Sequence, residues 1–483
     1  MIRRIDYKYV VGAVFVVGLF VDLLDMTIMN VALPTLAKSF ASTTSVEWVV
    51  IGYLISLAVF IPVSGWAGDR FGTKRMFTLA LVIFSAGSLL GGFAWNMESL
   101  VAFRVLQGIG GGMLTPVGTA MLFRAFPPEE RANASALLAI PTIVAPALGP
   151  VVGGYLVQYL SWRWIFFMNV PIGAFGLLIS ILFLREERQA NPGRLDIPGF
   201  VLSASGLASV VYALAEAGSR GFGDLRVILF GLAGIVLLVM LTHVELHTDQ
   251  PMINLRLFKH QSFTGANLFQ LLGYSGFAGA LYLLPLLLQF EKGVTPLQSG
   301  LATFPQALGV ILMVRPAARL YKRMGSLRMI VTGMAGITAT TVAFLWVDAT
   351  TSLWWVALIM FLRGLPWAFI FVSLQTTAFT SIRPEDTGRA SAIFNSLRQV
   401  AASFGVALLA TVLTSQLAQR GARLGDPLTQ AGAVAAFHDA FLVATLLGVA
   451  AILVVTLLID DCAAAATTRP NAAAGSGRPV SQP

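Results

Sequence analysis

Two carboxylates, Asp22 and Asp25, stand three residues apart in an otherwise apolar run near the start of the chain. That spacing puts both on one face of a helix. A charge at the centre of a membrane costs about 2.5–3.5 kcal/mol on insertion scales. Two acids there must neutralise, pair with a cation or line a wet cavity. Burial and a like-charged neighbour both favour the protonated form of a carboxyl group, which suits it to taking a proton on one side of a membrane and releasing it on the other. A structural ion pair near the membrane surface is the alternative; the long apolar stretch before Asp25 argues for depth. The fourth apolar run carries Arg104. A guanidinium does not shed its charge, so Arg104 needs a carboxylate or backbone carbonyls, and Asp22 and Asp25 are the deep acids in its part of the chain. The three residues form a candidate proton-coupling group.

Other motifs concern movement more than chemistry. Gly108, Gly110, Gly111 and Gly112 follow Arg104 and permit close helix contact. They do not make a nucleotide loop: Met113 stands where GxGxxG needs its last glycine, and no Gly-Lys pair exists for a P-loop. ATP hydrolysis is therefore not expected, and no GxSxG elbow is present. Pro141, Pro146, Gly149, Pro150, Gly153 and Gly154 crowd the fifth run. Gly149 and Gly153 have close-packing spacing, and Pro150 removes a helix hydrogen bond, so this helix should bend and slide against a neighbour. Gly65, Asp69, Arg70, Gly72 and Arg75 make a tight charged turn. Asp69 can attract a helix N-terminus from the other half of the molecule, forming a latch that breaks when the halves rock. The alternative is topology signalling by Arg70, Lys74 and Arg75. His243 and His247 have a spacing zinc could use, but they sit at the end of a span without the residue order of a hydrolase, and no metal is expected.

The elements that hold these residues follow from composition. The chain is 57% hydrophobic and 11% charged, against about 25% charged in soluble domains, so lipid should cover its outside. A net charge of +9 would suit nucleic acid, but the basic residues recur in short clusters between apolar runs rather than in one patch. A membrane helix needs roughly 20 apolar residues to cross about 30 Å, and fourteen runs qualify, the first centred near Phe20 and the last near Gly448. The first is of spanning length with no cleavage site after it, an uncleaved helix rather than a signal peptide. With the N-terminus inside, 21 of the 32 Lys and Arg residues fall in inside segments and seven in outside ones. The positive-inside bias then places both termini in the cytoplasm of a multi-pass protein of the cytoplasmic membrane. The single Cys462 excludes an internal disulfide and a cysteine metal cluster. Residues 462–483, rich in Ala, Gly, Pro, Ser and Thr, have nothing to pack and are expected to be a disordered tail.

An internal repeat organises the spans. Residues 65–76 align with 318–329, with Arg70/Arg323, Gly72/Gly325, Arg75/Arg328 and Met76/Met329 identical at an offset of 253. Pro128-Glu129-Glu130 and Ala134-Ser135-Ala136 align with Pro384-Glu385-Asp386 and Ala390-Ser391-Ala392 at an offset of 256. Spans 1–6 therefore repeat as 9–14. The expected fold is all-α: a six-helix bundle over 1–188, two inserted helices over 189–260, and a second six-helix bundle over 261–461. Two such halves around a midplane site are the architecture of rocker-switch transporters.

These motifs resemble those of the major facilitator superfamily. The stretch from Gly65 to Arg75 resembles its loop 2–3 signature, Arg104 to Gly112 its span-4 motif, and Ala147 to Gly154 the span-5 antiporter motif. Leu24-Asp25-Met26-Thr27-Ile28-Met29-Asn30-Val31-Ala32-Leu33-Pro34 is similar to the first-span signature of the fourteen-span drug:proton antiporters, the EmrB/QacA group, as are Trp162 to Pro171 and Arg398-Gln399. The resemblance implies Asp25 as the proton-carrying acid, Arg104 as its modulator, and Pro146, Gly149, Pro150, Gly153 and Gly154 as the antiporter hinge. It implies a lipophilic small-molecule substrate, protons as the driving partner and no cofactor. In a Gram-negative host a periplasmic membrane-fusion adaptor would join the partners. Met26, Met29, Asn30, Gln107, Asn395, Arg398 and Gln399 are the cavity candidates, the methionines as adaptable contacts. Members that export dications carry further acids in spans 10 and 13; here span 10 has no carboxylate and span 13 offers Asn395, Arg398 and Gln399. A proton-coupled carrier of one metabolite is the second reading. A lipid-modifying membrane enzyme is the third, and it lacks clustered catalytic residues at one membrane face.

Overall fold

The computed structural model describes residues 6–40, 46, 48–126, 131–188, 195–221, 223–248, 253–380, 382 and 387–458, with the backbone alone at some helix positions, among them Asp69 and 131–140. The expected tail over 462–483 lies outside the described residues. The helices are α1 (Tyr7–Ser39), α2 (Trp48–Phe71), α3 (Thr73–Gly92), α4 (Met97–Ala125), α5 (Arg131–Tyr159), α6 (Trp164–Phe183), α7 (Ile197–Arg220) and α8 (Leu225–His247). They continue as α9 (Gln261–Glu291), α10 (Pro296–Thr303 continued by Pro305–Met324), α11 (Ser326–Ala343), α12 (Leu353–Thr380), α13 (Thr387–Gln419) and α14 (Gln430–Leu458). Among the described residues there is no strand. Thirteen of the helices are long and apolar enough to cross a membrane. The remaining one, α5, has 29 residues, more than the roughly 20 a crossing needs.

Several starts carry local signals. Asn96 and Ser99 form a reciprocal capping box at α4, as do Thr295 and Gln298 at α10. Asp196 and Asp224 cap α7 and α8. Packing then sorts the helices by depth. The most apolar stretch of α9 is 72% buried, whereas that of α8 is 17% buried, so α9 is central and α8 presents its Leu, Ile and Val side chains to lipid.

The pairing of helices repeats. In the first group α1 packs on α5 and α6, α2 on α4, and α3 on α4 and α6; in the second α9 packs on α13 and α14, α10 on α12, and α11 on α12 and α14. Adding eight to each label of the first set yields the second. The groups meet where α2 packs on α13, α5 on α10, and α1 on α9. Helices α7 and α8 pair with each other, and α7 seats against α2 and α13.

The repeat reaches the backbone. The turn from α2 to α3 passes through Gly72 at φ +104°, and the turn from α10 to α11 through Gly325 at φ +78°, a region that favours glycine. Thr73 N donates to the Glu187 carbonyl at 3.0 Å, Lys74 Nζ to the Ile181 carbonyl at 2.7 Å, and Arg75 Nε pairs with Glu186 at 3.5 Å. Gly72 and Arg75 thus sit against the chain just after α6 in their own half, where Glu186 supplies a carboxylate and Glu187 a carbonyl. Arg70 is exposed and Gly65 faces open space; the Asp69 side chain lies outside the description. A methyl group at Gly72 would strike the Glu186 carboxylate. Gly72→Ala should therefore cost about 1–3 kcal/mol, read as a lower thermal midpoint of the purified protein, while Gly65→Ala should leave the midpoint unchanged. Equal midpoints for the two variants would refute this account of the turn.

Candidate functional site

Asp25 lies 0% exposed inside the first group of helices. Arg104 Nη1 donates to its Oδ2 at 2.5 Å; Gln107 Nε2 and Asn169 Nδ2 donate to its Oδ1 at 3.0 and 2.7 Å. Arg104 and Gln107 come from successive turns of α4, and Asn169 from α6. Each donor is itself held. Arg104 donates through Nε to the Val49 carbonyl at 3.1 Å and through Nη1 to Gln107 Oε1 at 2.8 Å. Asn169 also donates to Ser88 Oγ at 3.1 Å, and Ser88 donates to the Phe166 carbonyl. The guanidinium lies 4.2 Å above the Tyr53 ring, and the Tyr53 hydroxyl donates to Asp22 Oδ1. The result is a dry charged pair in a shell of neutral donors. Removing one partner of such a pair strands a buried charge.

The glycines after Arg104 make this approach available. A methyl group at Gly110 would lie 2.5 Å from Phe84 N of α3, at Gly112 2.7 Å from the Leu57 carbonyl of α2, and at Gly111 2.6 Å from Asp22 Oδ1. Helix α5 uses its glycines in the same way on two sides. Gly149 faces Thr27 and Ile28 of α1 and Gly153 faces Ile28, whereas Gly154 faces the Pro296 and Leu297 backbone of α10. Gly300 of α10 in turn faces the Pro150 carbonyl. Pro146 lines the cavity between the halves.

That cavity, of about 280 Å³, is bounded by α1 and α5 on one side and by α9, α10, α12 and α13, with Met334 of α11, on the other. Of the candidate residues, Met26 and Asn30 of α1 and Arg398 and Gln399 of α13 line it. Three candidates do not. Gln107 is engaged with Asp25, Met29 is fully buried and off the lining, and Asn395 also lies off the lining of the cavity. The reason at α1 is helical phase. Asp22, Asp25 and Met29 share the face turned into the bundle, while Leu23, Met26, Thr27 and Asn30 share the face turned to the cavity. The acids therefore sit behind the cavity wall rather than in it. The sequence singles out neither Tyr53 nor Ser88 around the acids, nor Gln270 and Tyr274 in the cavity; Asn169 stands inside the Trp162–Pro171 motif, but no role attaches to it until the fold brings it to Asp25. A π-helical turn over Gln270–Tyr274 carries the two cavity residues; such turns recur at functional sites, but no residue type announces one.

The halves are sealed on the face opposite to the start of α1. There Leu297 N donates to Gln158 Oε1 at 3.3 Å, Gln289 Nε2 donates to the Val31 carbonyl at 3.1 Å, and Lys38 lies 5.4 Å from the Phe290 ring. Toward the starting face the lining continues through Thr142, Leu374 and Phe394. Away from this region, His247 Nδ1 bonds to the His243 carbonyl at 2.7 Å, and no group of three metal-ligating side chains occurs among the described residues.

Comparison with known proteins agrees with this architecture. The profile described as Major Facilitator Superfamily matches residues 15–406. A Mycobacterium tuberculosis protein named multidrug resistance protein B homolog is 33% identical over 397 residues, which are 81% of this chain and 74% of that one. A Klebsiella pneumoniae protein named putative multidrug resistance protein MdtD is 33% identical over 407 residues, 82% of this chain and 84% of that one. Among solved structures, the xylose transporter XylE from E. coli in a partially occluded inward open conformation superposes with a TM-score of 0.64 at 14% identity, covering 95% of this chain and 99% of that one.

Proposed function

Because the chain belongs to the Major Facilitator Superfamily, a family of membrane transporters, we propose that it is a proton-coupled antiporter that exports lipophilic small molecules across the cytoplasmic membrane by alternating access. The observation that carries this reading is the buried Asp25–Arg104 pair on the back of the same helix that presents Met26 and Asn30 to the cavity. In this reading the chain falls in the fourteen-span drug:proton antiporter branch, with α5 as the fourteenth span. Relatives named for multidrug resistance support the drug-export part.

Both termini lie in the cytoplasm, so the sealed face is the outer one and the cavity leads inward. Residues 1–188 and 261–461 are the rocking halves, with 189–260 riding on α2 and α13. A proton from outside neutralises Asp25, Arg104 loses its partner, and α1 shifts against Gly149 and Gly153 of α5. That helix carries the movement to α10 through Pro150 and Gly154, and the outer seal opens for release. Loss of the proton inward restores the pair and a cavity ready for substrate. The driving force suffices: one pH unit supplies about 1.4 kcal/mol per proton, and 100 mV about 2.3 kcal/mol per net charge moved. No cofactor takes part. In a Gram-negative host a periplasmic membrane-fusion adaptor would receive the substrate.

Bacteria lacking their own pumps and expressing this chain should expel members of a panel of cationic, neutral and anionic lipophiles, and an uncoupler should stop them. Efflux that continues undiminished after the proton gradient collapses would remove proton coupling from the proposal.

A further inference from the structure

The substrate class follows from where the charges stand, given the export reading above. Arg398 is the one charged side chain on the cavity lining among the described residues. It makes no hydrogen bond or ion pair there, and Asp22 acts on it only through space, across the interface. Asp22 is 3% exposed, accepts from Tyr53 and lies behind the α1 wall. Asp25 is committed to Arg104, Gln107 and Asn169. No described carboxylate is thus offered to a bound molecule.

The neighbouring wall repeats this bias. Phe277 and Trp367 stack face to face, with centroids 3.9 Å apart and planes at 5°, and both line the cavity. An aromatic face attracts cations, but here a cation already stands beside the stack. Arg363, 1% exposed, lies 5.0 Å from the Phe277 ring. Arg363 donates to Thr341 Oγ1 and leaves Nη2 unpartnered, with no carboxylate beside it. A second cation on the cavity side would be repelled by both guanidiniums. Next to Arg398, Gln399 is 5% exposed with its Oε1 unpartnered, so its amide is free to turn and donate to an oxyanion.

We propose that the cavity takes an amphipathic organic anion: a flat apolar body against Phe277 and Trp367, and a carboxylate or similar oxyanion at Arg398 and Gln399. Burying that anion satisfies an unpaired guanidinium, which is where a charge-assisted hydrogen bond is strongest. Exported against an entering proton, an anion also moves down the membrane potential, so transport should speed up when the interior is made more negative.

Three probes of one shape test the proposal on the purified full chain: anthracene-9-carboxylate, its carboxamide and 9-aminomethylanthracene, followed by fluorescence anisotropy. The carboxylate should bind at least tenfold more tightly than the ammonium. Arg398→Gln should weaken the carboxylate about tenfold and leave the carboxamide within threefold, and Arg398→Lys should retain most of the carboxylate affinity. Carboxamide binding reports that the variants are folded, and the ranking on the unaltered protein decides the matter without any variant. An ammonium that binds as tightly as the carboxylate, or an Arg398→Gln change that weakens all three equally, overturns the inference. In proteoliposomes, proton-driven export of the ammonium would overturn it and leave the antiport reading standing. Selective carboxylate binding without proton-driven movement would uphold the inference and sink the antiport reading.

Discussion

Asp25→Asn should reduce proton-driven efflux to the level of cells without the protein while substrate binding changes by no more than a few-fold. The binding part follows from position: Asp25 lies behind the cavity wall, and the wall residues Met26 and Asn30 are untouched. The transport part follows from the pair. Asparagine fills the same space, but every present contact of the carboxylate is with a donor: Arg104, Gln107 and Asn169. The two amides can turn to offer oxygen, and Asn169 Oδ1 is unpartnered to begin with. Arg104 has no such freedom and is left as a buried charge. Breaking a buried pair from one side costs about 3–5 kcal/mol, so Asp25→Asn should also lower the thermal midpoint.

The double variant Asp25→Asn with Arg104→Gln separates structure from coupling. It removes both charges, so it should recover most of the lost stability and none of the proton-driven efflux. Recovery of efflux along with stability would mean that Asp25 holds the bundle together and carries no proton. Persistence of proton-dependent efflux in the single variant would have the same meaning.

The second large effect is expected at Gly154. A methyl group there would come 2.6 Å from Leu297 Cα and 2.6 Å from the Pro296 carbonyl. These are backbone atoms and cannot swing aside, so Gly154→Leu should force α5 and α10 apart at the sealed face. Overpacking of this kind costs about 1–3 kcal/mol, which moves a two-state equilibrium about 5- to 150-fold. Cysteines at 158 and 297, placed in a Cys462→Ser background and bridged by a short bifunctional thiol reagent, report the seal, because Leu297 N donates to Gln158 Oε1 at 3.3 Å across it. Their cross-linking should be efficient with Gly154 and fall at least fivefold with Leu, and efflux should drop about tenfold or more. Unchanged cross-linking and efflux in Gly154→Leu would show that this contact does not close the molecule.

Much of this arrangement can be read from residue types. Arg104 cannot be neutralised and the deep acids in its half are close by in the first span, so charge narrows its carboxylate partner to Asp22 or Asp25, and the packing selects Asp25. Gly72 and Gly325 mark equivalent turns, and the helix pairing of the two halves repeats as the aligned motifs imply. Gly149 and Gly153 against Gly154 show the limit. Their types announce close contact, but that two face α1 in one half and the third faces α10 in the other depends on how α5 is turned.

By itself the sequence determined what insertion into lipid requires: the apolar helices, the repeat, and the few charges too costly to leave unpaired. Tertiary structure alone decided which way each helix faces. These spans are apolar on nearly every side, so no period in the sequence marks the side turned to a partner. Asp22, Asp25 and Met29 look into the bundle and Met26 and Asn30 look into the cavity because α1 is packed among α4, α5, α6 and α9. The same holds for Asn169 and Tyr53, ordinary residues in their own helices that matter because distant segments of the chain bring them to Asp25 and Asp22. Arg363 and Arg398 likewise gain their meaning from what packing leaves beside them, an aromatic stack and a cavity without an acid.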